Sequence, residues 1–444
     1  MAKTDKKKAL LICPHKPSLD PRIAWVANEV SRYYEVLVLG VDNTIGEEET
    51  VQYNKYKAIT IPISKRLDLV WKFLKIGSKA ERMSAQNDIN PLAKHQGDEN
   101  INDAEKKISI SDPTLTKRWK LKTLISWWWF FTYVHVSLRS YININRYKPD
   151  LVICADLMTL KIGKEIKDRL NCRLVYDAHE FYGFAYKNVS KIQMRRMIQH
   201  EKKYIKYVDS AFTVNEYLAK VMENELGYKP IYSLPNASPL ESETYVEDDI
   251  SDIADGRIKF IFQGGFEPGR GIDLLIDAWS KVSVEKCVLF LRGPECPYKE
   301  YLVGIAKRSG VLNKNVFFVN SISEDFLIGA AKNADVGIIP YVGDTINNKY
   351  ACPNKLSQYM QAGIAVLSND LVFVKNQIQK YNNGIVYNSR EEDTLIKAVN
   401  KLCSDSELLE KYKNNSKLYA VGDYNWDIQA EEFRKVIMRY VKSE

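Results

Sequence analysis

An apolar strand-like run meets glycines and an arginine in FQGGFEPGRGIDLLIDAW, residues 262–279. Glycine lets a backbone come close to a phosphate, a helix N-terminus offers free N–H groups and a favourable dipole, and arginine adds a forked cation. Gly264, Gly265 and Arg270 are therefore candidates for holding a diphosphate. The spacing matches neither the dinucleotide fingerprint nor a Walker loop, which weakens nicotinamide and ATP readings. A second segment, residues 335–370, runs from a strand into Pro340-Tyr341 and a polar loop, after which Pro353-Asn354-Lys355 opens a helix that Gly363 closes.

Two more clusters lie earlier in the chain: Ser18-Leu19-Asp20-Pro21-Arg22, and Tyr176-Asp177-Ala178-His179-Glu180. His179 follows the end of an expected parallel strand, where open α/β sheets bind their ligands. It could hydrogen-bond a substrate, with Asp177 and Glu180 orienting it or meeting a hydroxyl. No His/Cys/Asp/Glu group has metal-ligand spacing, and Asp248-Asp249 lies in an acidic stretch rather than at a strand end. Neither metal nor cofactor is expected.

Strand-length apolar runs alternate with helical patterns along most of the chain, the signature of βαβ units and parallel sheets. Strands are expected at 8–13, 35–41, 150–155, 173–176 and 210–214, with a helix over 18–33. After the acidic, aperiodic stretch ESETYVEDDISDIADG the pattern restarts, with strands at 258–262, 287–291, 316–319, 336–339, 365–367 and 385–387 and helices over 271–282 and 356–362. At 444 residues the chain is about three times the usual domain size, so two cores are expected. We place a first domain at 1–234 and a second at 235–424. The tail 426–444 reads as one amphipathic helix with Ile428, Phe433, Ile437 and Val441 on one side.

One region breaks the rhythm. Residues 65–120 are rich in Lys, Asn, Asp and Ser, as an insertion would be, and Lys117-Arg118-Trp119-Lys120 then leads into LISWWWFFTYVHV. A helix over 121–138 could pack on the following strand, lie against an anionic membrane surface through Trp127, Trp128 and Trp129, or do both on opposite faces. Lys122, Thr123 and Ser126 argue against a spanning helix. The net charge of +8 comes without a nucleic-acid-binding signature, so no nucleic-acid partner is expected. The seven scattered cysteines fit reduced thiols in a cytoplasm, and no export signal is visible.

The second segment resembles retaining glycosyltransferases of family four, in which Pro-x-Lys-x-x-Glu-x-Met-Ala-x-Gly-x-Pro-Val forms the donor-binding helix. Pro353, Lys355, Gln358, Met360, Gly363 and Val366 occupy that pattern here. The resemblance implies the GT-B fold: two facing Rossmann-like, doubly wound α/β domains with the active site in the cleft. It also implies that the tail helix returns to the first domain, and that the nucleotide-sugar donor is a UDP-sugar. Gly264, Gly265, Arg270, Asn236 of the Leu234-Pro235-Asn236 turn, Pro340, Tyr341, Asn354, Lys355, Leu356 and Gln358 would hold that donor. His179, Asp177, Arg270 and Lys355 would serve catalysis, while Asp20, Arg22 and Glu180 would stand on the acceptor side.

This chain departs from the family at its paired glutamates, eight positions apart, which fall on Tyr350 and Gln358. Glutamine keeps an acceptor oxygen for the nucleotide ribose, so glutamate at position 358 is expected to be tolerated. Tyr350 has no such equivalence. Bacterial members of the family that build surface polysaccharides often have a D-x-R opening the first helix and a Y-D-x-H-E after a central strand, which Asp20-Pro21-Arg22 and Tyr176-Asp177-Ala178-His179-Glu180 resemble. By this resemblance a hexosyl or N-acetylhexosaminyl group passes, with retention, to a saccharide or lipid-linked acceptor. The enzyme would be cytoplasmic, or peripheral on the inner face of the cell membrane. A sugar-nucleotide epimerase and a catalytically inactive binding homologue stay open as alternatives.

Overall fold

The computed structural model describes residues 6–62, 131–143, 145, 147–185, 190–240, 246 and 250–442. The expected insertion at 65–120, Trp127 to Trp129 and much of the acidic stretch fall outside these.

The apolar runs form two sheets. Strands β1 (Lys8–Ile12), β2 (Glu35–Asp42), β3 (Glu49–Gln52), β4 (Lys57–Pro62), β5 (Leu151–Ala155), β6 (Arg173–Ala178), β7 (Ser210–Thr213) and β8 (Ile231–Ser233) make the first, ordered β3-β4-β2-β1-β5-β6-β7-β8. Only β3 runs antiparallel to its neighbour. Strands β9 (Ile258–Gln263), β10 (Cys287–Arg292), β11 (Val316–Val319), β12 (Val336–Ile339), β13 (Ala365–Asn369) and β14 (Gly384–Tyr387) make the second, all parallel, ordered β11-β10-β9-β12-β13-β14. Every residue of β5 and β10 is buried, as expected of central strands covered by helices on both faces.

Both sheets reverse direction once. The chain moves outward from β1 through β2 to β4 and then crosses to β5 on the other side of β1. It repeats the move in the second sheet, from β9 to β10 and β11 and back to β12 beside β9. Each reversal leaves a crevice beyond the strand ends, the place where such sheets bind ligands.

The tail docks on the first sheet, but as two pieces rather than one helix, Trp426–Gln429 and Glu431–Lys442. Asn425 caps the first piece by accepting from the Ile428 N–H. Trp426, Ala430, Phe433, Val436 and Ile437 bury themselves with Ala9, Leu11, Val26 and Phe212, and Arg434 Nε donates to Glu29 Oε1 at 2.9 Å. The break at Ala430 turns the first piece so that Ile428, expected inside, is 39% exposed. The acidic stretch also differs from expectation, since Ile250–Ala254 forms a short helix with both ends buried. Residues 131–143 are helical and sink Val134, Leu138 and Ile142 into the core.

Candidate functional site

In the second domain the loops after β9 and β12 interlock. Gly271 caps helix Ile272–Trp279 with φ 71°, and a Cβ there would stand 2.1 Å from the Pro340 carbonyl oxygen. Only glycine fits that conformation and that approach. The Val342 N–H closes the contact by donating to the Gly269 carbonyl at 3.2 Å. Gly264, with φ 140°, makes room for Lys355, whose Nζ would be 2.5 Å from any Cβ at that position. Gly264 thus serves a purpose the sequence reading did not give it: it admits a lysine.

Two cations converge on Tyr341. The Arg270 guanidinium lies 4.6 Å from the Tyr341 ring centroid, and Lys355 Nζ donates to the Tyr341 hydroxyl at 3.0 Å. Burial raises the Tyr341 phenol, but the charges of Lys355 and Arg270 outweigh it and hold it below its ordinary value. Among the described residues the one salt bridge of Arg270 is with Glu267, three residues back and itself 62% exposed on its side chain. Such surface pairs are weak and readily exchanged. Lys355 forms no salt bridge among the described residues, resting instead on the Tyr341 hydroxyl and near the Phe262 ring. This corner therefore carries positive charge that the protein leaves largely uncompensated.

Gln358, buried on helix Asn354–Ala362, donates its Nε2 to Glu324 Oε1 at 2.9 Å. Desolvation raises the Glu324 carboxyl and nearby Asp20 adds to the effect, while Lys355 opposes it. Glu324 sits on the loop after β11, and no motif in the sequence pointed to it. Leu356 is fully buried and contributes by anchoring the first helical turn, while Asn354 stands half-buried at its start. Tyr350 lies away from the cations: its ring stacks at 6.4 Å on Tyr217 of the first domain, and its carbonyl accepts from Asn215 Nδ2 at 2.6 Å.

In the first domain, acids surround one imidazole. His179 Nδ1 bonds Asp20 at 2.7 Å, its Nε2 bonds Asp177 at 3.2 Å, and its backbone N–H donates to Asp156 Oδ1 at 3.1 Å. Burial alone lowers the imidazole, but Asp20, Asp156 and Asp177 outweigh it and hold the ring well above its ordinary value, as a cation. Asp177 is held well below the usual carboxylate range: burial opposes this, and Arg22 and His179 overcome it. Burial raises Asp156, the end of the β5 run, which adopts φ 65° and ψ 161°. That conformation costs a non-glycine residue about 1–3 kcal/mol and collects at functional sites. The sequence reading passed over Asp156, although its place directly after LVICA at the strand end was a signal.

Arg22 and Asp177, expected to face ligands, are each 1% exposed and satisfy one another. Arg22 donates from Nε and Nη2 to the two Asp177 oxygens at 3.0 and 2.6 Å, and from Nη1 to the Leu234 carbonyl and Asn236 Oδ1 at 2.6 and 2.7 Å. Asn236 is likewise committed to protein, its Nδ2 donating to the Cys352 carbonyl at 2.9 Å. These three residues find protein partners at the junction between the domains, where a catalytic role was expected of Asp177, a donor contact of Asn236 and an acceptor-side place of Arg22. His179 keeps its place beside the cleft, but any substrate must compete with Asp20 and Asp177 for its N–H groups.

The two domains' crevices face each other. The Glu180 carboxyl is pushed up to about 7 by desolvation and by Asp156, with Arg270 of the other domain and His179 pulling it down. The Phe181 N–H donates to Asn347 Oδ1 at 3.0 Å, joining the segment after β6 to the segment after β12. A carboxyl poised near neutrality thus stands opposite the uncompensated cations. Among the described residues no group of three or more His, Cys, Asp or Glu is arranged to hold a metal ion.

With this geometry in view, comparison with known proteins defines the fold and a family resemblance of the second domain. The chain superposes over 99% of its length on all of a sucrose-phosphate synthase from Thermosynechococcus elongatus, with a TM-score of 0.70 at 12% identity. It superposes over 97% of its length on 99% of HepE of Anabaena in complex with UDP, with a TM-score of 0.61 at 12% identity. The fold is GT-B, which bears out the expectation of two facing doubly wound domains. Residues 246–419, the second domain, match the family of glycosyl transferases group 1. An uncharacterized glycosyltransferase of Methanocaldococcus jannaschii is 23% identical over 228 residues, 50% of this chain and 56% of that one. The match spans little more than half of that relative's length.

Proposed function

We propose that the protein transfers a sugar from a nucleoside diphosphate sugar, a UDP-sugar in our reading, to an acceptor hydroxyl. The observation that carries this is the convergence of Arg270 and Lys355 on the glycine-lined crevice between β9 and β12, with Lys355 in no salt bridge among the described residues. HepE of Anabaena, which shares the fold, is in complex with UDP. Arg270 and Lys355 neutralise the leaving diphosphate, Gly264 and Gly265 give its oxygens close access, and Gln358 with Glu324 receives the ribose hydroxyls. The acceptor hydroxyl approaches from the face the diphosphate leaves, and a phosphate oxygen takes its proton, so the anomeric configuration is retained. Glu180, opposite Arg270, orients that hydroxyl. Positioning and charge stabilisation supply the catalysis, without a metal ion.

The acceptor in this reading is a lipid-linked saccharide at the inner face of a membrane. The basic, tryptophan-rich segment 117–138 supports it. No helix among the described residues is long and apolar enough to cross a membrane. Incubation with a panel of sugar nucleotides, scored for free nucleoside diphosphate, tests the donor. Release from at least one UDP-sugar, lost in Arg270→Ala, is expected, and no release from any donor in the panel contradicts the reading. Isomerised sugar nucleotide in place of released diphosphate would show an epimerase instead.

A further inference from the structure

On the first domain a cavity of about 710 Å³ opens between the helical stretch 131–143, the start of helix Leu160–Leu170 and the face of helix Lys191–Ile205. Arg139, Lys161 and Arg196 bring three cations to its wall. Arg139 shares Glu165 with His135, at 3.5 and 3.3 Å, whereas Lys161 and Arg196 form no salt bridge among the described residues. The positive field is felt locally: burial, Lys161 and Lys203 together pull the His200 imidazole down to about 4. Val136, Met158 and Met197 supply the apolar remainder of the lining.

Two buried polar atoms of this wall have no hydrogen-bond partner among the described residues. His135 is 6% exposed, and with its Nε2 side on Glu165 its Nδ1 bonds nothing. Gln193, also 6% exposed, uses its Oε1 to cap its own helix at Ser190, which leaves Nε2 unpaired. A buried polar group without a partner costs about 1–3 kcal/mol, so such groups in a native wall point to a ligand that completes them. Met158 follows Asp156 by two residues, so the cavity lies beside the strand ends that frame the His179 crevice.

We infer that this cavity binds a phosphorylated amphiphile. Its phosphate lies among Arg139, Lys161 and Arg196 and accepts from Gln193 Nε2, while its hydrocarbon chain covers Val136, Met158 and Met197. The inference rests on the reading of the protein as a transferase to a lipid-linked acceptor and names the residues that would hold that acceptor's phosphate end. Neither an apolar ligand nor a bare anion satisfies both halves of the lining.

Farnesyl phosphate below its critical micelle concentration is a suitable probe, titrated by calorimetry against the full chain beside farnesol and inorganic phosphate. Farnesyl phosphate should bind at least about tenfold more tightly than either half-ligand, and Lys161→Ala/Arg196→Ala should weaken it by about tenfold or more, the scale of lost charge-assisted hydrogen bonds. Lys161 is half-buried and Arg196 exposed, so the double variant should fold, which its UDP titration checks. Unchanged UDP affinity with lost farnesyl phosphate affinity supports the cavity assignment. Equal farnesyl phosphate affinity in the double variant and the wild type overturns it, as does inorganic phosphate binding as tightly as farnesyl phosphate. Neither of these results touches the donor site, whose failure would show in the UDP titration alone.

Discussion

Around His179, three aspartates and, through Asp177, the buried Arg22 close a network in which nearly every charge has its opposite within hydrogen-bonding distance. At the matching point of the second sheet, Arg270 and Lys355 meet an aromatic ring, a phenol and one exposed glutamate. The same topology therefore carries two electrostatic designs. The first is complete without a ligand and sets geometry; the second is left positive and awaits an anion. Burial of matched charges fixes a scaffold, while half-buried, poorly matched cations are free to exchange a weak partner for a phosphate.

Breaking the first design should show most in stability. Arg22→Ala strands the Asp177 carboxylate, 1% exposed, without its bidentate partner, and denaturant unfolding should report a loss of about 3–5 kcal/mol. A loss under about 1 kcal/mol would mean that water reaches this pair and that the network is not a framework.

Breaking the second design should spare the fold and strike turnover. Arg270→Ala is expected to lower kcat by about 10²–10³-fold, the scale on which losing one charge-stabilising donor acts, with the unfolding midpoint unchanged. An unaltered rate would remove Arg270 from the leaving-group site.

Gln358→Glu sharpens the comparison by placing an anion in the positive corner. From the sequence this change looked tolerable, but Gln358 donates to Glu324 at 2.9 Å, and a glutamate there sets carboxylate against carboxylate. Nucleotide affinity should fall by about tenfold at pH 8 and recover towards pH 5, as one carboxyl of the pair takes a proton. Equal affinity at both pH values would show that Glu324 turns away from position 358.

The smallest effect concerns the first network's pH response. The folded His179 value is raised well above 6.5, so its contribution to stability is complete below about 6.5 and fades as pH rises through the folded value. The gap in melting temperature between wild type and His179→Gln should therefore be widest near pH 6 and shrink as the solution becomes alkaline. A gap that grows with pH would mean a neutral folded imidazole.

Much of this was legible before any coordinates. The strands expected at 316–319 and 336–339 match β11 and β12 residue for residue, because short continuous apolar runs bounded by polar turns encode strands of a parallel sheet, β12 buried within it and β11 half-buried at its edge. Strand β3 escaped notice because ETVQ is an exposed edge without an apolar face, and β8 because three residues carry no period. At the candidate site, Gly264, Arg270 and Lys355 could be named from the sequence because helix-opening glycines and cations have a local signature, and the structure brings Gly264 against Lys355 and Arg270 against Tyr341. Glu324 was not, since its part depends on where the loop after β11 lands beside Gln358, a tertiary fact. Residue type also led us to give Arg22, Asp177 and Asn236 ligand contacts, but the sequence does not reveal that each finds its partner inside the protein.

Calorimetric titration of UDP and UMP into the wild type and into Arg270→Ala/Lys355→Ala tests the contrast most directly. The account predicts that the wild type prefers UDP, because the second phosphate reaches both cations. In the double variant UDP affinity should fall to the level of UMP while the melting temperature stays put. Equal binding of UDP and UMP to the wild type, or full UDP affinity in the double variant, would contradict the assignment of the diphosphate to this crevice.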